Sequence, residues 1–259
     1  MPGILDPRAA QAKFQFSEPQ PARGLEPYVA HYWVVRWDLR EQDPYEQHVL
    51  PYPSVNMTFK LGRCRIAGVP RGRFSEVLEG AGRVFGVRFT PAGFRAFLNA
   101  PTATITDKFL PVEAVFGPPG AALSAEVLAA DEALAAAAVD QFLLANLSAP
   151  DPNIELVNTI VARIAAEPSV MRVDRLAEEL QVGVRRLQRL FADYVGVGPK
   201  WVIRRYRLHE AAERAAADNP LDWMQLASEL GYTDQAHLIR DFTAIIGTPP
   251  ARYIQRQRS

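Results

Sequence analysis

Two short clusters near the C-terminus hold the side chains best suited to reading bases. The first is Val184, Arg185, Gln188 and Arg189; the second is Gln235, Ala236, His237 and Arg240. Arginine can bond guanine N7 and O6 through two parallel N–H groups, and glutamine can pair in the same way with adenine. Arg186 falls toward the flank of the first cluster, where a phosphate is the nearer partner, and Lys200 adds a cation beyond it. His237 taken alone is well explained as an ordinary exposed histidine. Its register beside Arg240, the counterpart of Arg189, is what joins it to a groove-contacting set.

Such side chains can read a groove only from a helix whose other face docks on its own domain. Leu187, Leu190, Phe191 and Tyr194 recur at helical spacing behind the first cluster, and Leu238, Phe242 and Ile245 behind the second. The pattern is a repeat: Leu187, Phe191, Gly196 and Pro199 are answered 51 positions later by Leu238, Phe242, Gly247 and Pro250. A Leu-Ala-x-Glu-Leu segment precedes each set, at 176–180 and 226–230. Gln181-Val182-Gly183 and Gly231-Tyr232-Thr233 supply the turns, with Thr233 or Asp234 as cap of the second reading helix. Each unit is therefore a predicted helix-turn-helix. A helix opened by Pro199 and stopped by Asp218-Asn219-Pro220 joins them. At ~1.5 Å per residue it spans about 27 Å, near the ~34 Å separating successive major-groove faces.

Net charge over the 259 residues is zero, yet the charge is unevenly placed. Between 185 and 207 stand Arg185, Arg186, Arg189, Lys200, Arg204, Arg205 and Arg207 against Asp193 alone. Phosphate contact depends on this local patch rather than on the whole-chain sum. A solvated helical face is the plainer explanation of the same run.

The single cysteine, Cys64, excludes an internal disulfide and a cysteine-rich metal site. Flanked by Arg63 and Arg65, it raises an alternative of a different class, an alkyl-accepting DNA-repair cysteine; a half-buried strand cysteine is the simpler expectation. His31 and His48 lack ligand spacing, so no metal and no cofactor are expected. The N-terminus lacks the basic and apolar regions of a secretory signal, and acidic residues interrupt the apolar stretch 125–147, so no membrane association is expected.

The expected fold class is α+β. Residues 1–24 read as an extended arm. Tyr32–Trp37, His48–Leu50, Val55–Phe59 and Val84–Phe89 read as strands of a small barrel or sandwich, and 121–147 as one or two helices. These helices pair with a second copy or pack on the barrel. Ser148–Asn153, with two prolines, is the linker between a β-rich module at 1–147 and an all-helical domain at 154–259. Trp33, Trp37, Tyr52, Phe59 and Arg88 are candidate pocket residues, since aromatic walls with one charge suit an anionic or aromatic ligand, although each singly is better read as core.

The C-terminal hundred residues resemble the AraC-type DNA-binding domain. The resemblance rests on Arg185-x-Leu187-Gln188-Arg189-x-Phe191, Gly196-x-x-Pro199, Arg207-Leu208, Ala227-x-x-Leu230-Gly231-Tyr232, His237-Leu238-x-Arg240-x-Phe242 and Gly247-x-x-Pro250. It implies transcription regulation through two helix-turn-helix units joined by a long helix. Gly183 departs from the family, which often has serine there, and Asp241 beside Arg240 tempers phosphate attraction. The segments Arg23–Trp37, Leu50–Asn56 and Gly86–Phe94 are similar to the N-terminal module of a subgroup of these regulators. In the family that part senses a small molecule or mediates dimerisation. The partners so implied are double-stranded DNA, a small-molecule effector, RNA polymerase and a second copy of the chain; a regulator controlled only by protein contacts is the remaining alternative.

Overall fold

The computed structural model describes residues 3–217 and 221–258, so the helix stop expected at 218–220 lies outside the described residues. The segment expected to be an extended arm carries structure instead. Helix α1 (Pro7–Gln11) is capped by Asp6, which accepts from the Ala9 N–H, and strand β1 (Phe14–Ser17) pairs with the next strand. Proline at the first helical position and an aspartate before it suffice for this short helix.

Strands β2 (Val29–Leu39), β3 (Tyr45–Val49), β4 (Asn56–Lys60), β5 (Arg63–Ala67), β6 (Phe74–Leu78), β7 (Gly80–Phe89) and β8 (Phe109–Pro111) complete the β-rich half. Six of the strands form one antiparallel sheet in the order β1-β2-β7-β4-β5-β8, and β3 pairs with β6 in a separate ribbon. Alternation sorts the sheet into two faces. Tyr32, Val34, Met57, Phe59, Ile66, Phe85 and Val87 fill the core. Their alternates His31, Trp33, Asn56, Thr58, Arg65 and Arg88 turn to the other side, toward the ribbon.

Helices α2 (Glu113–Phe116), α3 (Pro118–Ala129) and α4 (Glu132–Ala145) cover the core face. Leu123, Val127, Ala135, Val139 and Leu143 are buried there, Arg83 donates to the Val127, Leu128 and Ala130 carbonyls, and the Tyr32 hydroxyl donates to Asp140 at 2.6 Å. Their buried apolar face is thus used on their own sheet, while Leu134 and Leu144 of α4 stay exposed.

Residues 147–151 leave the helix, and the chain continues as α5 (Pro152–Ala166), α6 (Val173–Glu179), α7 (Val184–Tyr194), α8 (Pro199–Ala216), α9 (Trp223–Glu229), α10 (Gln235–Ile246) and α11 (Pro250–Arg258). Helix α5 starts two residues before Ile154 because Asp151 caps it and Pro152 suits its first turn. One apolar cluster runs unbroken from the sheet through α5, α6 and α7 to Val202 and Ile203 of α8. A second gathers Leu208, Ala212, Leu226, Leu238, Phe242 and Tyr253, and Leu5 and Leu50 from the β-rich half insert into it. Phe191 and Phe242, the repeat-related aromatics, are fully buried at the centre of their units. Each contributes about 1.5–3 kcal/mol relative to exposure.

Candidate nucleic-acid interface

Helix α7 is held by its inner face. Leu187, Phe191 and Tyr194 are buried, and the Tyr194 hydroxyl donates to the Asp151 carboxylate at 2.5 Å. Thr102 donates to the Tyr194 carbonyl at 3.1 Å and Thr106 to that of Gly196 at 2.6 Å, so the end of the helix rests on the β-rich half. Val184, Arg185, Arg186, Gln188 and Arg189 all lie exposed on the outer face. Among the described residues none of the three arginines has an ion-pair partner. Gly183 gives the helix no side-chain cap, which leaves the first-turn N–H groups and the positive end of the dipole beside these arginines.

Helix α10 differs. Asp234, not Thr233, caps it by accepting from the His237 N–H at 2.7 Å. Ala236 and Arg240 are exposed; Gln235 and His237 are half-buried. The His237 ring stands edge-on to Tyr232 with centroids 5.0 Å apart, and its Nε2 is 3.9 Å from Asp241. The turn before α10 is one residue longer than that before α7. Both turns enter the left-handed region at the residue after the leucine, at Gln181 (φ 54°) and at Gly231 (φ 72°).

The basic run is smaller than its sequence suggests. Arg205 and Arg207 are each only 2 % exposed. Arg205 donates to the Arg71 carbonyl at 2.8 Å and lies over the Trp201 ring at 4.4 Å; burial, with Arg204 nearby, pulls its pKa down to about 10. Arg207 donates to the Ile164 and Glu167 carbonyls at 2.5 and 2.9 Å, and burial lowers its pKa too. Both serve the fold: Arg205 ties α8 to the backbone at Arg71 in the β-rich half and Arg207 ties it to the end of α5, each giving a buried guanidinium a carbonyl acceptor. Arg204 is exposed but donates to Asp241. Four exposed cations outside ion pairs remain of the seven: Arg185, Arg186, Arg189 and Lys200.

A second feature lies between the sheet and the β3–β6 ribbon, a cavity of about 490 Å³. Trp33, Trp37, Tyr52 and Arg88 line it. Phe59 does not: it is buried on the opposite face of the sheet, against Phe85, as the β4 alternation requires. Trp33 lies on Gly86 and Trp37 on Gly82, so closely that a Cβ at either glycine would fall 2.0 and 2.4 Å from the indole. These two glycines make the floor flat. Arg88 sits between its cross-strand neighbours His31 and Asn56. Residue type alone does not mark these two neighbours as cavity residues; their alternation with the core residues of β2 and β4 does. Arg88 is in no ion pair among the described residues, and burial holds its pKa below the arginine norm.

Cys64 lies on β5, half-buried, and burial pushes its thiol pKa up, the reverse of what an activated nucleophile needs. Among the described residues no group of three His, Cys, Asp or Glu could hold a metal ion, and no helix is long and apolar enough to cross a membrane.

Comparison with known families gives two matches. Residues 176–256 match a helix-turn-helix domain of the AraC type, and residues 17–111 match a domain of unknown function, DUF6597. No curated protein matches. Among solved structures, the chain is similar to ToxT from Vibrio cholerae O395, at 13 % identity over 95 % of this chain and 98 % of that one, TM-score 0.43. It is also similar to ToxT from strain SCE256 with an unsaturated fatty acid bound (11 %, 93 % and 91 %, 0.40). The C-terminal domain of AraT, a response regulator from Geobacillus stearothermophilus, is similar over 42 % of this chain and 88 % of that one (22 %, 0.36).

Proposed function

We infer from the AraC-type helix-turn-helix domain at residues 176–256 that the chain is a DNA-binding transcriptional regulator, and we propose that a small molecule in the N-terminal cavity controls it. The carrying observation is the outer face of α7, where Arg185, Gln188 and Arg189 stand exposed and outside ion pairs on a helix anchored by its other face. Arg186 and Lys200 hold phosphates, and Gln235, Ala236, His237 and Arg240 contact a second groove segment. Residues 1–147 act as the effector module and 154–259 as the reading domain, joined through 148–153. A regulator of this kind works in the cytoplasm beside its DNA, in contact with RNA polymerase and paired with a second copy.

Selection of duplexes from a randomised pool tests the reading. We expect a bipartite motif whose halves lie about one helical turn, ~10 base pairs, apart. Arg189→Ala should weaken binding to the selected duplex by about 1–3 kcal/mol if Arg189 meets a base. A pool that yields no motif would overturn sequence-specific binding; an unchanged affinity would remove Arg189 from it.

A further inference from the structure

Resting on that reading of the cavity, we propose that its ligand is an aromatic carboxylate whose charge is held by Arg88, and that its arrival is transmitted to α8 through Tyr52 and His209.

The ligand class follows from the cavity walls. Trp33 lies on Gly86 and offers an indole face, and buried Trp37 on Gly82 extends the floor beneath Lys60, 5.1 Å from its ring centroid, with Phe14, Val35 and Val84 around them. A flat body stacks on such a floor better than a branched one. Arg88 and its cross-strand neighbours His31 and Asn56 stand at the end of this floor nearest Tyr52. Glu18 also lines the cavity, 3.7 Å from His31; its charge favours the Arg88 cation from a distance, and among the described residues it makes no ion pair with it. A guanidinium this deep without a carboxylate is costly unless an anion reaches it. Asn56 can donate to the same anion through its amide. At the far end Lys60, Arg63 and Arg65 share the single carboxylate of Glu76, so the cavity is positive there as well.

The coupling follows from the position of Arg88 against Tyr52. Its guanidinium lies 3.9 Å from the centroid of the Tyr52 ring, which also stacks on His209 of α8 at 3.8 Å with the planes 22° apart and meets Tyr206 of α8 edge-on at 6.0 Å. Tyr52 belongs to the β3–β4 connection. In that connection Leu50 is buried with Leu208, Leu226 and Leu238, and the Pro51 carbonyl lies 3.4 Å from His209 Nε2. One short segment therefore lines the cavity and packs in the core of the second helix-turn-helix unit. A carboxylate that takes Arg88 removes the cation from one face of Tyr52 and alters the stack on the other.

The test compares 3-phenylpropanoate with its neutral amide, 3-phenylpropanamide, on the full chain, by calorimetry and by tryptophan fluorescence. The carboxylate should bind roughly tenfold tighter or more, the preference of a charge-assisted bond over a neutral one. Arg88→Gln should bring the two together. The carboxylate should also change affinity for the selected duplex several-fold in the wild type. His209→Leu, which lies outside the cavity lining, should keep carboxylate binding and lose that change. Equal binding of carboxylate and amide to the wild type would overturn the anion assignment and leave an effector cavity standing. Binding of neither at millimolar concentration, with duplex recognition intact, would overturn the effector reading and this inference with it. Selective carboxylate binding with no change in duplex affinity, or with a change that survives in His209→Leu, would overturn the coupling. The wild-type comparison needs no variant to fold.

Discussion

Arg204 on α8 donates two hydrogen bonds, from Nε at 3.1 Å and Nη2 at 2.7 Å, to one carboxylate oxygen of Asp241 on α10. The acid that seemed in sequence to weaken the second reading helix is thus occupied by a neighbour, and a cation counted for DNA is occupied with it. Asp241→Asn should release Arg204, half of whose side chain is exposed. One added phosphate contact would steepen the fall of log affinity with log salt by about 0.9. Duplex titrations over a salt series measure this, and an unchanged slope would mean that Arg204 does not reach the backbone.

The two reading helices should contribute unequally. Helix α7 presents Arg185, Arg186 and Arg189 together, whereas α10 presents exposed Arg240 beside a half-buried His237 leaning on Tyr232. Arg189→Ala should therefore cost more duplex affinity than Arg240→Ala, with the larger loss within about 1–3 kcal/mol. The reverse order in paired affinity measurements would reassign the main contact to the second unit.

The helical half was legible because each of its signals is local. Apolar spacing at three and four residues, Pro199 at a helix start and the repeated Leu-Ala-x-Glu-Leu place α7 to α10 within about two residues and α6 within three, its first turn lying ahead of Leu176. The β-rich half was less so. Strand β5 reads Arg-Cys-Arg-Ile-Ala and β8 spans three residues, and both exist because neighbouring strands pair with them. Arg205 and Arg207 join the basic run in sequence but not in the structure for a related reason: charge is visible in a sequence, but the carbonyls of Arg71, Ile164 and Glu167 that take them inside come from distant segments. Phe59 is a cavity candidate in sequence and core in the structure because face cannot be known before register, and one residue of shift exchanges cavity for core.

The turn of the first unit holds a small reserve of stability. Gln181 adopts φ 54° where the second unit has Gly231. A side chain in this region is strained, and glycine is not. Gln181 is exposed, so no packing is lost on its removal. Gln181→Gly should raise stability by about 0.5–1 kcal/mol, the strain relief exceeding the entropy that glycine adds to the unfolded chain. Denaturant midpoints measure it; a lower midpoint would show that the position is unstrained.

Stability should also fall in mild acid because of His209. Its ring is buried between Tyr52 and the Pro51 carbonyl, and burial, with lesser repulsion from Arg205 and Arg88, lowers its pKa from 6.5 to about 3. The folded state therefore holds it neutral where the unfolded chain takes up a proton. Between pH 6.5 and about 3 the unfolded state binds more protons, so stability decreases as pH falls, by up to about 1.4 kcal/mol per pH unit. Above pH 6.5 both states are neutral at this residue and the contribution is flat. His31 is lowered as well, by burial first and Arg88 second, and adds to the same window. His209→Phe keeps an aromatic ring against Tyr52 and removes the titration. Its stability should be less steep than that of the wild type between pH 6.5 and 5, before most carboxylates titrate. Parallel curves for the two proteins across that interval, measured by denaturant unfolding, would show that His209 is protonated within the fold.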